Sequence, residues 1–103
     1  MSCRRLALVL FCCLLLPHLA HADDAPALDL INSQGCKGCH RLKGEGGTVG
    51  PDLTDVGKRL TPQQLRQVLV APQSVKPGSL MPSFAHLSDQ ELDRLVDFLS
   101  GQR

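Results

Sequence analysis

Cys36-Lys37-Gly38-Cys39-His40 decides the reading of this 103-residue chain. Two thiols three positions apart can add across the two vinyl groups of one porphyrin. The next residue, His40, then brings an imidazole under the iron. C-x-x-C-H is the pattern read as c-type haem attachment, and a neutral imidazole nitrogen is a good ligand for haem iron. The rival readings fit less well. A thioredoxin-like redox pair needs a βαβ setting, and this chain is too short and too helical in pattern to build one. A structural zinc site needs four ligands at suitable spacing. Apart from the front of the chain, Cys36, Cys39, His40 and His86 are the whole supply, and His40 directly adjoins Cys39.

The front of the chain says where this chemistry takes place. Arg4 and Arg5 form a short positive region, Leu6 to Leu16 is an unbroken apolar run of 11 residues, and Ala20-His21-Ala22 has a small-x-small shape. Together these read as a secretory signal peptide over residues 1–22, cleaved after Ala22. The competing reading, an uncleaved membrane anchor, needs a longer apolar run. Cys12 and Cys13 invite a lipoprotein reading. Phe11 and Cys12 precede them, where a lipidated cysteine follows a small residue. The expected location is therefore exported and periplasmic, with no stable membrane anchor after cleavage.

Cleavage changes the inventory. Of 103 residues, 22 go and 81 remain, with Cys36 and Cys39 as the cysteines, His40 and His86 as the histidines and Met81 as the sole methionine. Nine basic and ten acidic residues leave a charge of −1. An unoccupied cysteine pair in an oxidising compartment tends to close into a disulfide. Residues 23–103 make one domain with a thin core. Phe84 and Phe98 are its aromatic residues, beside no Trp and no Tyr. Small domains need a staple such as disulfides or a metal. A covalently bound haem would supply a large flat apolar body at the centre, which accounts for the scarcity of aromatic side chains.

The coarse pattern is all-α, three to four helices with no convincing strand. Asp24 can cap a first helix with Pro26 near its first turn, Leu28, Ile31 and Ala27 facing inward, and Gly35 ending it. Residues 41–60 read as loop, with Gly44, Gly46, Gly47, Gly50 and Pro51 among them. Thr61-Pro62-Gln63-Gln64 is a capping box, followed by an apolar stripe of Leu65, Val68 and Leu69. Pro72 stops that helix, and a second loop runs from Gln73 to Leu87. Ser88-Asp89-Gln90-Glu91 is another capping box. Leu92, Leu95, Val96 and Leu99 form the stripe of the last helix, and Gly101 stands at its C-terminal cap.

Three candidates remain for the second axial position. Met81 lies in Leu80-Met81-Pro82, in a Pro/Gly-rich loop rather than on a helix stripe, and a thioether raises the reduction potential. A methionine is otherwise a gap-filling core residue. His86, five residues on, is the competing donor, or a solvent-facing loop residue. An open sixth site would permit gas binding or peroxidatic reactions.

The residues quoted, CKGCH with Gly50-Pro51-Asp52-Leu53 and Leu80-Met81-Pro82, resemble a small soluble class I cytochrome c, monohaem and His/Met ligated, of bacterial type. The resemblance runs from about Leu28 to Leu99. It implies a compact fold of three to four helices around one haem c held through Cys36 and Cys39, with His40 and Met81 as metal ligands. It also implies that the Pro51 carbonyl receives the other nitrogen of His40, a contact that sets ring orientation and ligand basicity. Leu53 would pack on the porphyrin face, and the first and last helices would cross with Ile31 against Leu95, Val96 or Leu99. Asn32 stands where many relatives have an aromatic residue at that crossing. With Trp and Tyr missing, Lys58, backbone amides and above all Arg59 are the candidate partners of the haem propionates, since a guanidinium pairs well with carboxylates.

The expected function is that of a one-electron carrier, not an enzyme, acting between respiratory redox partners. The alternative is a peroxidase-like enzyme subunit or a gas-binding haem protein, if the sixth site is open. Charge layout suggests how partners dock. Residues 36–80 carry +4, whereas 23–35 carry −3 and 81–103 carry −2. A basic haem-bearing part steers toward acidic patches on redox proteins or membrane respiratory complexes. A monomer is expected, and nothing points to nucleic acid.

Overall fold

The chain enters its fold at α1, Ala25–Ser33, in a computed structural model that describes residues 23–103. The signal peptide expected at 1–22 lies outside the described residues. Pro26 sits in the first turn, where its fixed φ is pre-organised and its missing N–H costs nothing. Asp24 stands at the N-cap but makes no side-chain capping bond. Asp23 Oδ1 instead accepts the Ala25 amide at 3.0 Å. Ala27 and Ile31, four apart, form the buried stripe. Leu28, expected inward, is exposed, because each step of the helix turns the side chain by about 100°. Gly35 (φ +74°) then turns the chain into a 3-10 turn at Cys36–Gly38.

Residues 41–60, expected as loop throughout, hold three short elements. β1 (Arg41–Leu42) pairs antiparallel with β2 (Glu45–Gly46), Arg41 opposite Gly46 and Leu42 opposite Glu45. Lys43 and Gly44 both have positive φ, +51° and +83°, as a two-residue type I′ turn requires. Two-residue strands are too short to show alternation, so no period-2 signal existed to be read. A Cβ on Gly46 would run into the His40 carbonyl, so the hairpin lies directly against the haem-motif backbone. α2 (Val56–Arg59) is a single turn that buries Val56.

α3 (Pro62–Val70) begins at the expected capping box. Gln64 N–H donates to Thr61 Oγ1 at 3.2 Å, and Thr61 N–H to Gln64 Oε1 at 2.9 Å. Leu65 and Leu69 are buried and Val68 is half-buried. The helix stops before Pro72, but Pro72 itself opens a further single turn, α4 (Pro72–Val75), inside the expected second loop. Proline cannot continue a helix, yet it suits a first turn.

α5 (Asp89–Ser100) is the hub, with α1, α2 and α3 all packing on it. Leu92, Leu95, Val96 and Leu99 are buried as the stripe requires, joined by Phe98. Ile31 of α1 and Leu95 of α5 are the two most deeply buried large side chains, each 1% exposed. Asn32 is exposed, so a polar residue is tolerated there. Arg66 of α3 bridges to Asp89 (3.1 Å) and Asp93 (2.7 Å) of α5. Gly101 occupies the C-cap with ordinary negative φ.

Glu91 N–H donates to Ser88 Oγ and Ser88 N–H to Glu91 Oε1, both at 3.1 Å. The Ser88 amide, then its hydroxyl, holds the Glu91 carboxyl below its ordinary value. A carboxyl with a lowered folded pKa stabilises the fold above its unfolded value and loses that effect as pH falls through the folded one. Ser88→Ala is therefore expected to lower the unfolding free energy by about 1 kcal/mol. Gln also serves in a capping box, as at Thr61–Gln64, so Glu91→Gln removes only the charge. It is expected to destabilise at neutral pH, with the effect shrinking as pH falls through the lowered folded value. Urea melts at neutral and acid pH measure both, and a pH-independent Glu91→Gln effect would show that the carboxylate charge contributes nothing to the cap.

Candidate functional site

The haem motif is wound into one tight turn. The Cys36 carbonyl accepts the amides of Cys39 (3.3 Å) and His40 (3.0 Å), so both thiols and the imidazole spring from a single coil of five residues. Cys36 is half-buried against the core and Cys39 is exposed, and both thiols are free. Burial pushes the Cys36 thiol pKa up, against a backbone hydrogen bond that lowers it. Two backbone bonds tie the turn to residues 47–50, from Gly47 N–H to Lys37 O (2.9 Å) and from Gly50 N–H to Cys39 O (2.7 Å).

These ties bring Pro51 onto the histidine. His40 Nδ1 donates to the Pro51 carbonyl at 2.7 Å. That bond fixes the tautomer and leaves Nε2, the outer nitrogen, with its lone pair and with no hydrogen-bond partner among the described residues. Gly50 lies flat against the same ring. A Cβ there would come 2.7 Å from Nδ1 and 3.0 Å from Nε2.

The segment carrying Pro51 is itself lashed down. Leu53 N–H donates to Arg41 O (2.8 Å), and Lys43 N–H to Thr54 Oγ1 (2.9 Å). The Thr54 hydroxyl (2.6 Å) and amide (2.9 Å) both donate to Asp52 Oδ1, and together they hold the Asp52 carboxyl below its usual range. Leu53 is half-buried and packs on the core. The guanidinium of Arg59, the candidate propionate partner, donates to the Asp52 carbonyl and lies 3.5 Å from the Asp55 carboxylate.

Leu80-Met81-Pro82 lies in the stretch between α4 and α5. Met81 is half-buried and packs on the core, beside a Leu80 that is 88% exposed. His86 is exposed. Its Nε2 is 3.1 Å from Gln34 Oε1, and its ring tilts against Phe84 with centroids 6.0 Å apart. Among the described residues no group of three or more His, Cys, Asp or Glu side chains could hold a bare metal ion. Sequence reasoning did not find the seat that Gly50 makes for His40, nor the ties from Asp52 and Thr54. These are contacts between side chains and backbone that no periodicity reports.

The donor set fits a haem c: two free thiols on one turn, an imidazole whose inner nitrogen is already bonded, and a half-buried thioether. The fold and this turn define a cytochrome c domain. Residues 23–99 match the family model described as cytochrome c oxidase, cbb3-type, subunit III, and the chain belongs to that family. Membership implies covalently bound haem c, and the cysteine pair Cys36 and Cys39 is present in the chain. Over 90 residues the chain is 38% identical to the dihydro-heme d1 dehydrogenase of Pseudomonas aeruginosa, covering 84% of this chain and 17% of that protein. It is 29% identical over 77 residues to the menaquinol:cytochrome c reductase cytochrome c subunit of Bacillus subtilis, covering 75% of this chain and 28% of that one. The chain thus spans less than a third of the length of either relative. A chain in the crystal structure of SoxXA from P. pantotrophus matches with a TM-score of 0.71 at 20% identity, over 82% of this chain and 84% of that one. At that identity the likeness shows the fold alone. Among the described residues no helix is long and apolar enough to cross a membrane.

Proposed function

We propose that this domain is a one-electron carrier that transforms no substrate of its own. The observation that carries the reading is the His40 Nδ1–Pro51 bond. It presents Nε2 from the turn that also bears Cys36 and Cys39. When bound, haem c supplies an iron that alternates between Fe(III) and Fe(II). Cys36 and Cys39 keep that single group from dissociating. His40 and Met81 would hold its iron. Met81 is favoured over His86 because it packs on the core, whereas His86 is spent on Gln34. Two protein ligands would keep rearrangement small on electron transfer, and an apolar shell would disfavour the more charged oxidised state. Residues 1–22 direct export to the periplasm, where the domain acts as a monomer.

An optical spectrum of the exported protein in both redox states tests this. Sharp low-spin c-type bands, with the weak long-wavelength sulfur-to-iron band in the oxidised form, are expected. A high-spin spectrum that binds carbon monoxide at once would point to an open sixth site and overturn the carrier reading.

Its partners are redox proteins or respiratory complexes with acidic docking patches. Lys37 lies 3.5 Å from Glu45, and Arg59 and Arg66 are also paired with carboxylates. Arg41, Lys43, Lys58 and Lys76 have no carboxylate at ion-pair distance among the described residues. They carry the steering field, which salt screens over about 8–10 Å. Electron-transfer rates with native partners are expected to fall as ionic strength rises, and rates indifferent to salt would remove the steering idea.

A further inference from the structure

Met81 packs on the core, but the stretch that carries it has few hydrogen bonds to hold it. Lys76-Pro77-Gly78-Ser79 is a turn closed by Ser79 N–H to Lys76 O (3.1 Å), with Pro77 second and Gly78 (φ +82°) third, the pattern of a type II turn. Beyond Met81 the chain is pinned again. Ser83 Oγ donates to Val70 O at 2.6 Å, and Phe84 N–H to Leu69 O at 2.8 Å. Between these anchors Met81 N–H donates to Ser79 Oγ at 3.2 Å. Among the described residues, the only hydrogen bonds reaching 79–82 from outside the 76–82 loop come from Gln73. Its Nε2 lies 3.4 Å from Ser79 O and 3.3 Å from Met81 O. Both neighbours are carbonyls, so the amide must turn its NH2 toward them. Gln73 stands on α4, whose first residue, Pro72, is buried and whose length is one turn. The carboxamide therefore ties the methionine loop to a seated element.

We propose that Gln73 is a positioning residue, a latch that holds the Met81 loop closed and sets how often the sixth ligand position opens. The proposal rests on Met81 being the second axial ligand. Both bonds are long and lie at the surface, so the latch is weak. Losing it shifts the opening equilibrium without unfolding the domain. A hydrogen bond of this kind is worth about threefold to tenfold in such an equilibrium. The consequence is a domain whose access to small exogenous ligands is tuned several-fold by one amide remote from the haem motif.

The test uses haem-loaded wild type and Gln73→Leu, which keeps the bulk, loses the donors and adds no second thioether. Carbon monoxide binding to the reduced protein is followed by stopped flow, and exchange of the Met81 amide by hydrogen–deuterium exchange. Both rates are expected to rise about threefold to tenfold in the variant, with Tm and the low-spin bands at room temperature unchanged. Ser79→Ala, which removes the bond to Met81 N–H from inside the loop, is expected to raise the same two rates. Unchanged rates in Gln73→Leu, with the sulfur-to-iron band present in wild type, would overturn the latch alone. A wild type lacking that band would overturn the ligand reading and the latch with it.

Discussion

Gly50→Ala is expected to abolish stable ligation by His40. The Gly50 backbone is not in the left-handed region, so the objection to a side chain is one of space rather than of φ. An ideal Cβ would stand 2.7 Å from Nδ1 and 3.0 Å from Nε2, closer than real Cβ contacts allow at the first of these. Two responses are open. The ring can swing away and lose its bond to the Pro51 carbonyl, or the 50–51 backbone can retreat and carry that carbonyl off with it. Neither leaves Nε2 presented as it is now. Retreat is resisted by the bond from Gly50 N–H to Cys39 O and by the ties at Leu53 and Thr54. Overpacking of this kind costs about 1–3 kcal/mol, and here it falls on the ligand itself. The expected result is a several-fold drop in the yield of haem-loaded protein, with residual material high-spin. Gly101→Ala is the control, since its Cβ would meet nothing nearer than 3.4 Å. A Gly50→Ala protein with wild-type yield and spectrum would show that the ring tolerates the methyl group and that the seat is not required.

Met81→Ala is expected to keep its haem and lose the sulfur-to-iron band completely. Cys36, Cys39 and His40 remain to hold the group, so attachment and the main visible absorption survive. The reduction potential should fall, because thioether ligation is what raises it in His/Met sites. Carbon monoxide should then bind the reduced protein readily, where the parent resists it. His86 is the rival donor, and its Nε2 is engaged by Gln34. If the band persists in Met81→Ala, Met81 is not the ligand. If the variant stays low-spin but acquires a bis-nitrogen spectrum, His86 has left Gln34, and adding His86→Ala should convert it to high-spin.

Much of the scaffold was legible because it is written in local chemistry. The boxes at Thr61–Gln64 and Ser88–Glu91 each satisfy orphan amides with side chains three residues apart, so their sequence and their geometry are nearly the same statement. The stripe of Leu92, Leu95, Val96 and Leu99 was equally plain, since helical spacing alone places those side chains on one face. Leu28 was misplaced because a nine-residue helix rich in apolar positions offers more than one stripe, and only packing on α5 selects Ala27 and Ile31. The hairpin at 41–46 and the single turns α2 and α4 were missed because elements of two to four residues are too short to carry a period.

The sequence by itself determined the chemistry of the site. CKGCH offers two thiols and an imidazole at the spacing that suits haem c, and the helical pattern and short ligand supply around it disfavour a redox pair or a zinc site. Only the tertiary structure decided how that chemistry is aimed. It brought Pro51, eleven positions on, against Nδ1, laid Gly50 flat on the ring, and drew Gln73 to the carbonyl of Met81. Arg59, chosen for its charge, has its guanidinium against the Asp52 carbonyl in the segment that carries Pro51. The physical reason is the same in each case. A ligand's identity is a property of one residue. Its orientation depends on backbone groups and on empty space supplied by distant residues, which come together only when α5 gathers the other helices.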